Sequence, residues 1–193
     1  MKKVLLLLTL STLLFSEAID RTGPYLSLGG GHATLDDDQR MQGDIEHTYN
    51  INLIGGAFIN EYFSVELGGD YYSTFSTLEN ENSTKVYFID AAAKAHYPFW
   101  RNRIDVYAAF GAGAIFWKEN INGVSKDDRS SALRGDMGIG YRVLETLTLN
   151  LGYRRYFFIL DDTTGEILDN GDPEVIRYNM QIGSAYANIE VQF

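Results

Sequence analysis

The sequence contains no cysteine, only 3 prolines, and fewer basic than acidic side chains, at 16 against 26. Without cysteine, the chain cannot form disulfides, thiolate nucleophiles or cysteine-ligated zinc sites. The formal net charge of −10 at pH 7 leaves no basic stripe for the phosphates of a nucleic acid. At 193 residues the chain has the length of one domain with a sizeable core.

A long apolar run is also missing. The longest one, residues 4–15, is shorter than the about 20 residues that a transmembrane helix needs. It follows Lys2 and Lys3 and precedes the small residues Ser16 and Ala18, which is the pattern of a secretory signal peptide rather than of a membrane anchor. We therefore predict that residues 1–18 are a cleaved signal peptide and that residues 19–193 form the exported domain.

Apolar and polar residues alternate with a period of two through most of the exported domain, which predicts β-strands. The mean hydropathy of −0.17 does not argue against a membrane location, because transmembrane strands average apolar and polar residues. The alternating segments are residues 25–32, 49–59, 63–73, 85–97, 104–116, 132–143, 147–156 and the C-terminal run. In the last one, the apolar positions change face near Gly183 and Ser184, which predicts a β-bulge.

The connections between these segments alternate between long and short. The short ones are residues 60–62, 98–103 and 144–146. The long, polar ones are residues 33–48, 74–84, 118–131 and 161–174. This order predicts an all-β fold, an eight-stranded antiparallel up-and-down transmembrane β-barrel with four long extracellular loops and three short periplasmic turns.

The polar face of the predicted strands distinguishes a membrane barrel from a soluble, lipocalin-like barrel. A soluble barrel keeps its apolar face inside around a ligand, whereas a membrane barrel turns that face to lipid and encloses polar groups. Here the polar face carries charges of both signs along its middle, so they can pair inside the lumen. The predicted lumen network consists of Glu66, Asp70, Asp90, Lys94, Arg134, Asp136, Arg142, Arg154 and Glu190.

Aromatic residues cluster at both ends of the predicted strands, which favours two membrane-interface girdles. The girdle at the short turns is predicted to contain Tyr62, Phe63, Tyr97, Phe99, Trp100 and Phe193. The girdle toward the long loops is predicted to contain Tyr49, Tyr71, Tyr72, Phe75, Tyr87, Phe116, Trp117, Phe157 and Phe158.

The glycine-rich first strand, residues 25–31, and the C-terminal strand ending in Phe193 resemble the small outer-membrane barrels of Gram-negative bacteria. The nearest group is the OmpA-type transmembrane domain, with the OmpX- and OmpW-like surface-antigen barrels as relatives. The resemblance implies a location in the cell outer membrane, in contact with outer-membrane lipid and lipopolysaccharide. It also implies that the barrel-assembly machinery reads the C-terminal strand, with Phe193 as the assembly signal.

Catalysis is not predicted. The lipid A deacylase of this architecture carries a His-x-Ser pair, but Thr34, Tyr49 and Pro98 follow the three histidines here at that spacing. Of these histidines, His96 is predicted to face the lumen at the periplasmic end. We predict no catalytic residue and no cofactor, and we rank a lipid A-modifying enzyme below the non-enzymatic functions.

Carboxylates are concentrated in the long loops, at residues 36–38, 127–128, 161–162 and 169–172, without the spacing of an EF-hand. We therefore predict no dedicated metal site, while bridging by Mg²⁺ or Ca²⁺ to lipopolysaccharide phosphates stays an alternative, since such ions prefer oxygen clusters.

An eight-stranded barrel leaves room inside only for side chains. The expected function is therefore structural or surface-interactive, with a filled lumen, no open pore and a possible extracellular ligand on the loops. One alternative is an OmpW-like conduit for small hydrophobic solutes with a lateral exit, and another is a soluble periplasmic ligand-binding barrel.

Overall fold

The computed structural model describes residues 21–37, 45–77, 82–101, 103–121, 123–167 and 173–193. The predicted signal peptide therefore lies outside the described residues. Eight strands are present in the described part of the chain. They are β1 (Gly23–Asp36), β2 (Thr48–Asn60), β3 (Phe63–Ser76), β4 (Ser83–Phe99), β5 (Ile104–Ile121), β6 (Val124–Leu144), β7 (Leu147–Ile167) and β8 (Pro173–Gln192).

Each strand pairs antiparallel with its neighbour in the chain, and β1 pairs with β8 to close the barrel. The predicted fold class is confirmed. Within the described residues, no helix is long and apolar enough to cross a membrane.

Side chains point alternately into the barrel and outward, as strand geometry requires. The outward positions carry exposed apolar residues in the middle of the strands, for example Leu67, Ile89 and Phe110 at 65%, 57% and 66% exposure. These outward side chains form a continuous apolar band, which would be unfavourable in water. We therefore infer that lipid covers it.

Two of the predicted long connections are mostly strand. Residues 118–131 form a hairpin, because β5 continues to Ile121 and pairs there with Val124, the first residue of β6. Gly123 lies in the turn with a φ of 79°, a conformation that glycine adopts without strain. Likewise, β7 continues to Ile167 and β8 begins at Pro173, both within the segment predicted as residues 161–174. The predicted bounds of these two loops were wrong because a hairpin exposed to water is polar on both faces and loses the alternation of apolar and polar residues.

The predicted bulge near Gly183 and Ser184 was also wrong. The pairing of β8 with β1 and β7 is continuous there, and inward positions run without interruption from Met180 through Ile182 to Ser184 and Tyr186. The apolar residues Met180 and Ile182 seemed to lie on the outward face, but they point inward, because the extracellular half of the lumen is itself apolar. A register irregularity occurs instead in β3, between Tyr72 and Phe75.

Candidate functional site

The middle of the lumen is organised around the guanidinium group of Arg134 on β6. Its Nη1 donates to Asp90 Oδ1 at 2.8 Å, and its Nη2 donates to Glu66 Oε2 at 2.8 Å. The same Nη2 also donates to Asp136 Oδ2 at 2.7 Å. Arg134 is 1% exposed, so its charge is stabilised by these carboxylates rather than by water.

A second arginine, Arg154 on β7, completes the central network. Its Nη1 donates to Asp70 Oδ2 at 2.6 Å, and its Nε donates to Asp136 Oδ2 at 3.0 Å. Asp136 therefore links the two arginines through a single carboxylate oxygen. The Tyr186 hydroxyl donates to the other oxygen of Asp136 at 2.7 Å, so both oxygens are used.

Lys94 extends the network toward the periplasmic end. Its Nζ donates to Glu66 Oε1 at 3.0 Å and lies 4.1 Å from the ring centroid of Tyr107. Two further predicted lumen residues lie nearer the turns, where Glu190 accepts from Asn150 at 3.1 Å and Arg142 donates to Gln192 at 2.9 Å. The structure thus brings seven of the nine predicted residues into one contact network: Glu66, Asp70, Asp90, Lys94, Arg134, Asp136 and Arg154.

Glycines make room for the tyrosines that complete this network. A Cβ on Gly138 would lie 2.4 Å from the Tyr107 hydroxyl and 2.4 Å from the Leu151 carbonyl oxygen. A Cβ on Gly152 would lie 2.5 Å from the Tyr186 hydroxyl. The two hydroxyls are 3.0 Å apart, so side chains at either glycine would separate them from the charged centre.

The extracellular half of the lumen is filled by apolar side chains, which the sequence analysis did not predict. Phe88 stacks on Tyr156 with ring centroids 3.8 Å apart, and Ile115, Met180 and Ile182 are buried beside them. Four members of the predicted girdle toward the long loops belong to this core rather than to the lipid face: Tyr72, Phe75, Trp117 and Phe158. The remaining predicted girdle residues are exposed on the outside: Tyr49, Tyr71, Tyr87, Phe116 and Phe157 toward the loops, and Tyr62, Phe63, Tyr97, Phe99, Trp100 and Phe193 toward the turns.

A hydrogen-bonded chain at the periplasmic end was missed by the sequence analysis. Ser64 Oγ lies 2.9 Å from His96 Nε2, and His96 Nδ1 lies 2.6 Å from Asp105 Oδ2. Arg21 Nη1 contacts the same oxygen of Asp105 at 2.7 Å. His96 faces the lumen as predicted, but its partners come from neighbouring strands. A search for His-x-Ser along one strand could not find Ser64, whereas a diagonal search across predicted strand pairs could.

The order Ser, His, Asp is also that of a serine nucleophile with its base and acid. Ser64, however, is 1% exposed, and the Tyr25 hydroxyl lies 3.3 Å from its Oγ. The centroid of the Phe58 ring lies 5.1 Å from the centroid of the His96 ring. Ser64 and its hydrogen-bonded partners are thus enclosed inside the barrel.

The barrel wall is interrupted between β6 and β7 at its extracellular end. The pairing of these strands ends at Ala132 and Phe158, although both strands continue beyond this pair. Above it, the Ser130 hydroxyl donates to the Ile159 carbonyl at 2.8 Å in place of a backbone bond. A groove of about 580 Å³ lies at this seam and is lined by outward residues, such as Leu133, and by lumen residues, such as Met180.

The model of the outer membrane protein beta-barrel domain matches residues 4–186. The chain belongs to this family. No curated protein matches the sequence of this outer-membrane barrel.

Solved structures share the fold of this barrel. Neisserial surface protein A (NspA) has 17% sequence identity and a TM-score of 0.68, covering 89% of this chain and 98% of NspA. Ail, the attachment invasion locus protein of Yersinia pestis, has 14% identity and a TM-score of 0.57, covering 90% of this chain and 99% of Ail. The outer membrane protein OprG of Pseudomonas aeruginosa has 12% identity and a TM-score of 0.56, covering 92% and 100%.

Proposed function

We propose that this outer-membrane barrel has a structural or surface-interaction role and conducts no solute through its lumen. The observation that carries the proposal is that buried side chains of the described residues occupy both the middle and the extracellular half of the lumen. The Arg134 and Arg154 network crosses the middle, and the aromatic core around Phe88 and Tyr156 fills the extracellular half. A path for water would have to break buried ion pairs, which is costly because the separated charges lose their partners.

Planar-bilayer conductance tests the closed lumen. We expect no stable conductance steps from the purified wild-type protein. A double variant, Arg134→Ala with Arg154→Ala, is the positive control. It removes the two large side chains that cross the middle of the lumen and leaves carboxylates that water can hydrate. Stable, ohmic steps from the wild-type protein would contradict the proposal.

We propose that residues 1–18 are cleaved during export and that the mature protein resides in the outer membrane. Cell fractionation should place the protein in the outer membrane, and N-terminal sequencing of the purified protein should begin at Ile19. Recovery in the soluble periplasmic fraction would favour the soluble ligand-binding alternative instead.

The proposed partners are outer-membrane lipid, lipopolysaccharide and the barrel-assembly machinery. The C-terminal strand supports the last of these, since Ile189, Val191 and Phe193 present exposed apolar side chains at alternate positions. Phe193→Ala should lower the yield of assembled barrel in cells without changing the stability of refolded protein. An equal loss in both would show that Phe193 acts only through stability.

The surface-interaction role rests on the extracellular strand extensions. The hairpin of β5 and β6 carries exposed charges of both signs, including Lys118 and Asp127, whose side chains are 3.7 Å apart. Ail has been crystallised with the heparin analogue sucrose octasulfate, so one barrel of this fold binds a sulfated ligand. We propose a non-enzymatic extracellular interaction through these extensions. Removing residues 120–125 should abolish binding between the protein on the cell surface and its extracellular ligand, while the barrel still folds.

The seam between β6 and β7 favours a second candidate function, a conduit for small hydrophobic solutes with a lateral exit. The groove there joins the outer surface to the apolar core of the lumen. The double variant Ser131→Cys with Ile159→Cys changes the next pair in register, and its disulfide should close the seam when oxidised. Loss of hydrophobic solute uptake on oxidation, and its return on reduction, would establish the conduit. Unchanged uptake would exclude this route.

A further inference from the structure

The periplasmic mouth of the barrel is covered by a residue that belongs to no strand. Arg21 precedes β1, and the chain turns into that strand at Gly23, whose φ is 89°. The Arg21 side chain points into the barrel and is 2% exposed. Its guanidinium lies 5.8 Å from the ring centroid of Phe58 on β2 and reaches Asp105 on β5. Because β1 and β5 are four places apart in a ring of eight, Arg21 spans the mouth.

Arg21 and His96 meet the same oxygen of Asp105, at 2.7 Å and 2.6 Å. Arginine stays charged at every physiological pH, whereas histidine changes its charge near pH 6.5 when unperturbed. One carboxylate oxygen therefore holds both a permanent cation and a titratable ring. When His96 is neutral, Arg21 faces a net charge of −1. When His96 is protonated, Arg21 faces a net charge of zero and a like charge nearby.

The other charged and titratable groups around His96 do not replace Asp105. Glu66 of β3 and Lys94 of β4 form an ion pair at 3.0 Å, so their charges compensate each other. Among the described residues, groups that face this end of the lumen from the other strands include Tyr25 of β1, Tyr107 of β5, Arg142 of β6 and Glu190 of β8. Asp105 contacts both Arg21 and His96.

We propose that Arg21 and Asp105 form a latch that closes the periplasmic mouth and that protonation of His96 releases it. While His96 is neutral, the Asp105 carboxylate attracts Arg21 and the mouth is closed. Once His96 is protonated, the imidazolium neutralises the charge of Asp105, and Arg21 turns away from the lumen. This device is separate from the proposed function, because the ion network and the aromatic core fill the barrel above it in either state.

Trypsin provides a direct test, because it cleaves after Arg21 only if the arginine side chain leaves the lumen and enters the protease. The measurement is the rate of cleavage after Arg21 in the folded, detergent-solubilised protein. It is divided by the hydrolysis rate of a small arginine peptide in the same tube, which corrects for the pH dependence of trypsin. We expect this ratio to rise about tenfold between about pH 8 and about pH 5.5, equivalent to roughly 1.4 kcal/mol of lost ion-pair free energy.

Three variants determine whether the latch is the cause. Asp105→Asn should give a high ratio at both pH values, because it removes the charge that holds Arg21. His96→Gln should give a low ratio at both, because no imidazole then shares the Asp105 oxygen with Arg21. Glu190→Gln is the matched control, since it removes a carboxylate at the same end of the lumen and should behave as wild type.

A ratio that does not change with pH in the wild-type protein would overturn the proposal. The same holds if His96→Gln keeps the wild-type rise, or if Asp105→Asn remains protected at pH 8. Heat-modifiable gel mobility identifies any variant that fails to fold. His96→Asn then replaces His96→Gln, and Asp105→Ser replaces Asp105→Asn, with the same expected ratios.

Discussion

The ring of Phe88 stacks on the ring of Tyr156, with centroids 3.8 Å apart and planes 13° apart, where the charged and apolar halves of the lumen meet. The Tyr156 hydroxyl lies 2.8 Å from Asp70 Oδ2 and 2.5 Å from Asp90 Oδ2. Tyr156 thus has one face in the aromatic core and its polar end in the ion network. It couples two parts of the lumen that otherwise have different chemistry.

Tyr156→Phe tests this coupling, because it keeps the stacked ring and removes only the hydroxyl. The two carboxylates lose a donor inside the barrel, so we expect the free energy of unfolding to fall by about 1–3 kcal/mol. Urea unfolding of the protein folded into lipid vesicles measures the change. Tyr87→Phe is the control, since Tyr87 is 45% exposed on the lipid face and should change stability little. Equal effects of the two changes would contradict the role of the hydroxyl.

Arg134→Ala tests the central network. The change leaves Glu66, Asp90 and Asp136 without a shared cation, and breaking a buried ion pair costs about 3–5 kcal/mol. We expect the folded band in heat-modifiable gels to be lost at a lower temperature than in wild type. Arg129→Ala, on the exposed part of the same strand, serves as the comparison and should leave that temperature unchanged.

Gly138→Ala tests the space beside Tyr107. The new Cβ would approach the Leu151 carbonyl oxygen to 2.4 Å, so strand or side chain must move, at a cost of about 1–3 kcal/mol. Gly135 lies on the same strand, and a Cβ there would meet nothing within 4 Å. Gly135→Ala should therefore be neutral in the same vesicle unfolding assay. A neutral Gly138→Ala would mean that the two tyrosines tolerate a wider separation.

Phe110→Arg tests the membrane boundary. Phe110 is 66% exposed on the outside of β5, below the girdle residue Phe116. An arginine on the lipid face near the middle of the bilayer costs about 2–4 kcal/mol, so vesicle folding should be strongly impaired. The control is Val124→Arg. The Val124 side chain is 70% exposed but lies in the extracellular hairpin, so an arginine there should not affect folding. Equal folding of both variants would place β5 outside the bilayer.

Much of this arrangement was predictable because strand alternation needs only local sequence. The parity of residues 63–73 correctly separated inward Glu66 and Asp70 from outward Val65 and Leu67. By parity, Tyr72, Trp117 and Phe158 share the inward face with the charged residues, but the girdle prediction grouped aromatic residues by strand end and did not use their parity. At Phe75 parity itself failed, because the irregularity after Tyr72 changes which residues face inward.

Contacts between distant residues depend on register and shear, which local pattern does not contain. Arg134 and Glu66 are 68 residues apart, and Ser64 and His96 are 32 residues apart. The charges on the polar face were visible as a set, but their partners were not. The extracellular extension of β5 and β6 was hidden for a different reason, since water on both faces removes the selection for alternation.

By itself, the sequence determined the strands, their number, their inward and outward faces and hence a barrel with charges inside and apolar residues toward lipid. Those properties follow from a period of two, which any strand imposes on residues a short distance apart. The tertiary structure alone decided that Asp136 joins two arginines, that aromatic residues fill the extracellular half, and that Arg21 reaches Asp105 across the mouth. The contact of Asp136 depends on strand register, because Arg134 lies on its own strand and Arg154 is its partner on β7. The other two depend on closing the ring, because only closure brings opposite strands within reach of a side chain.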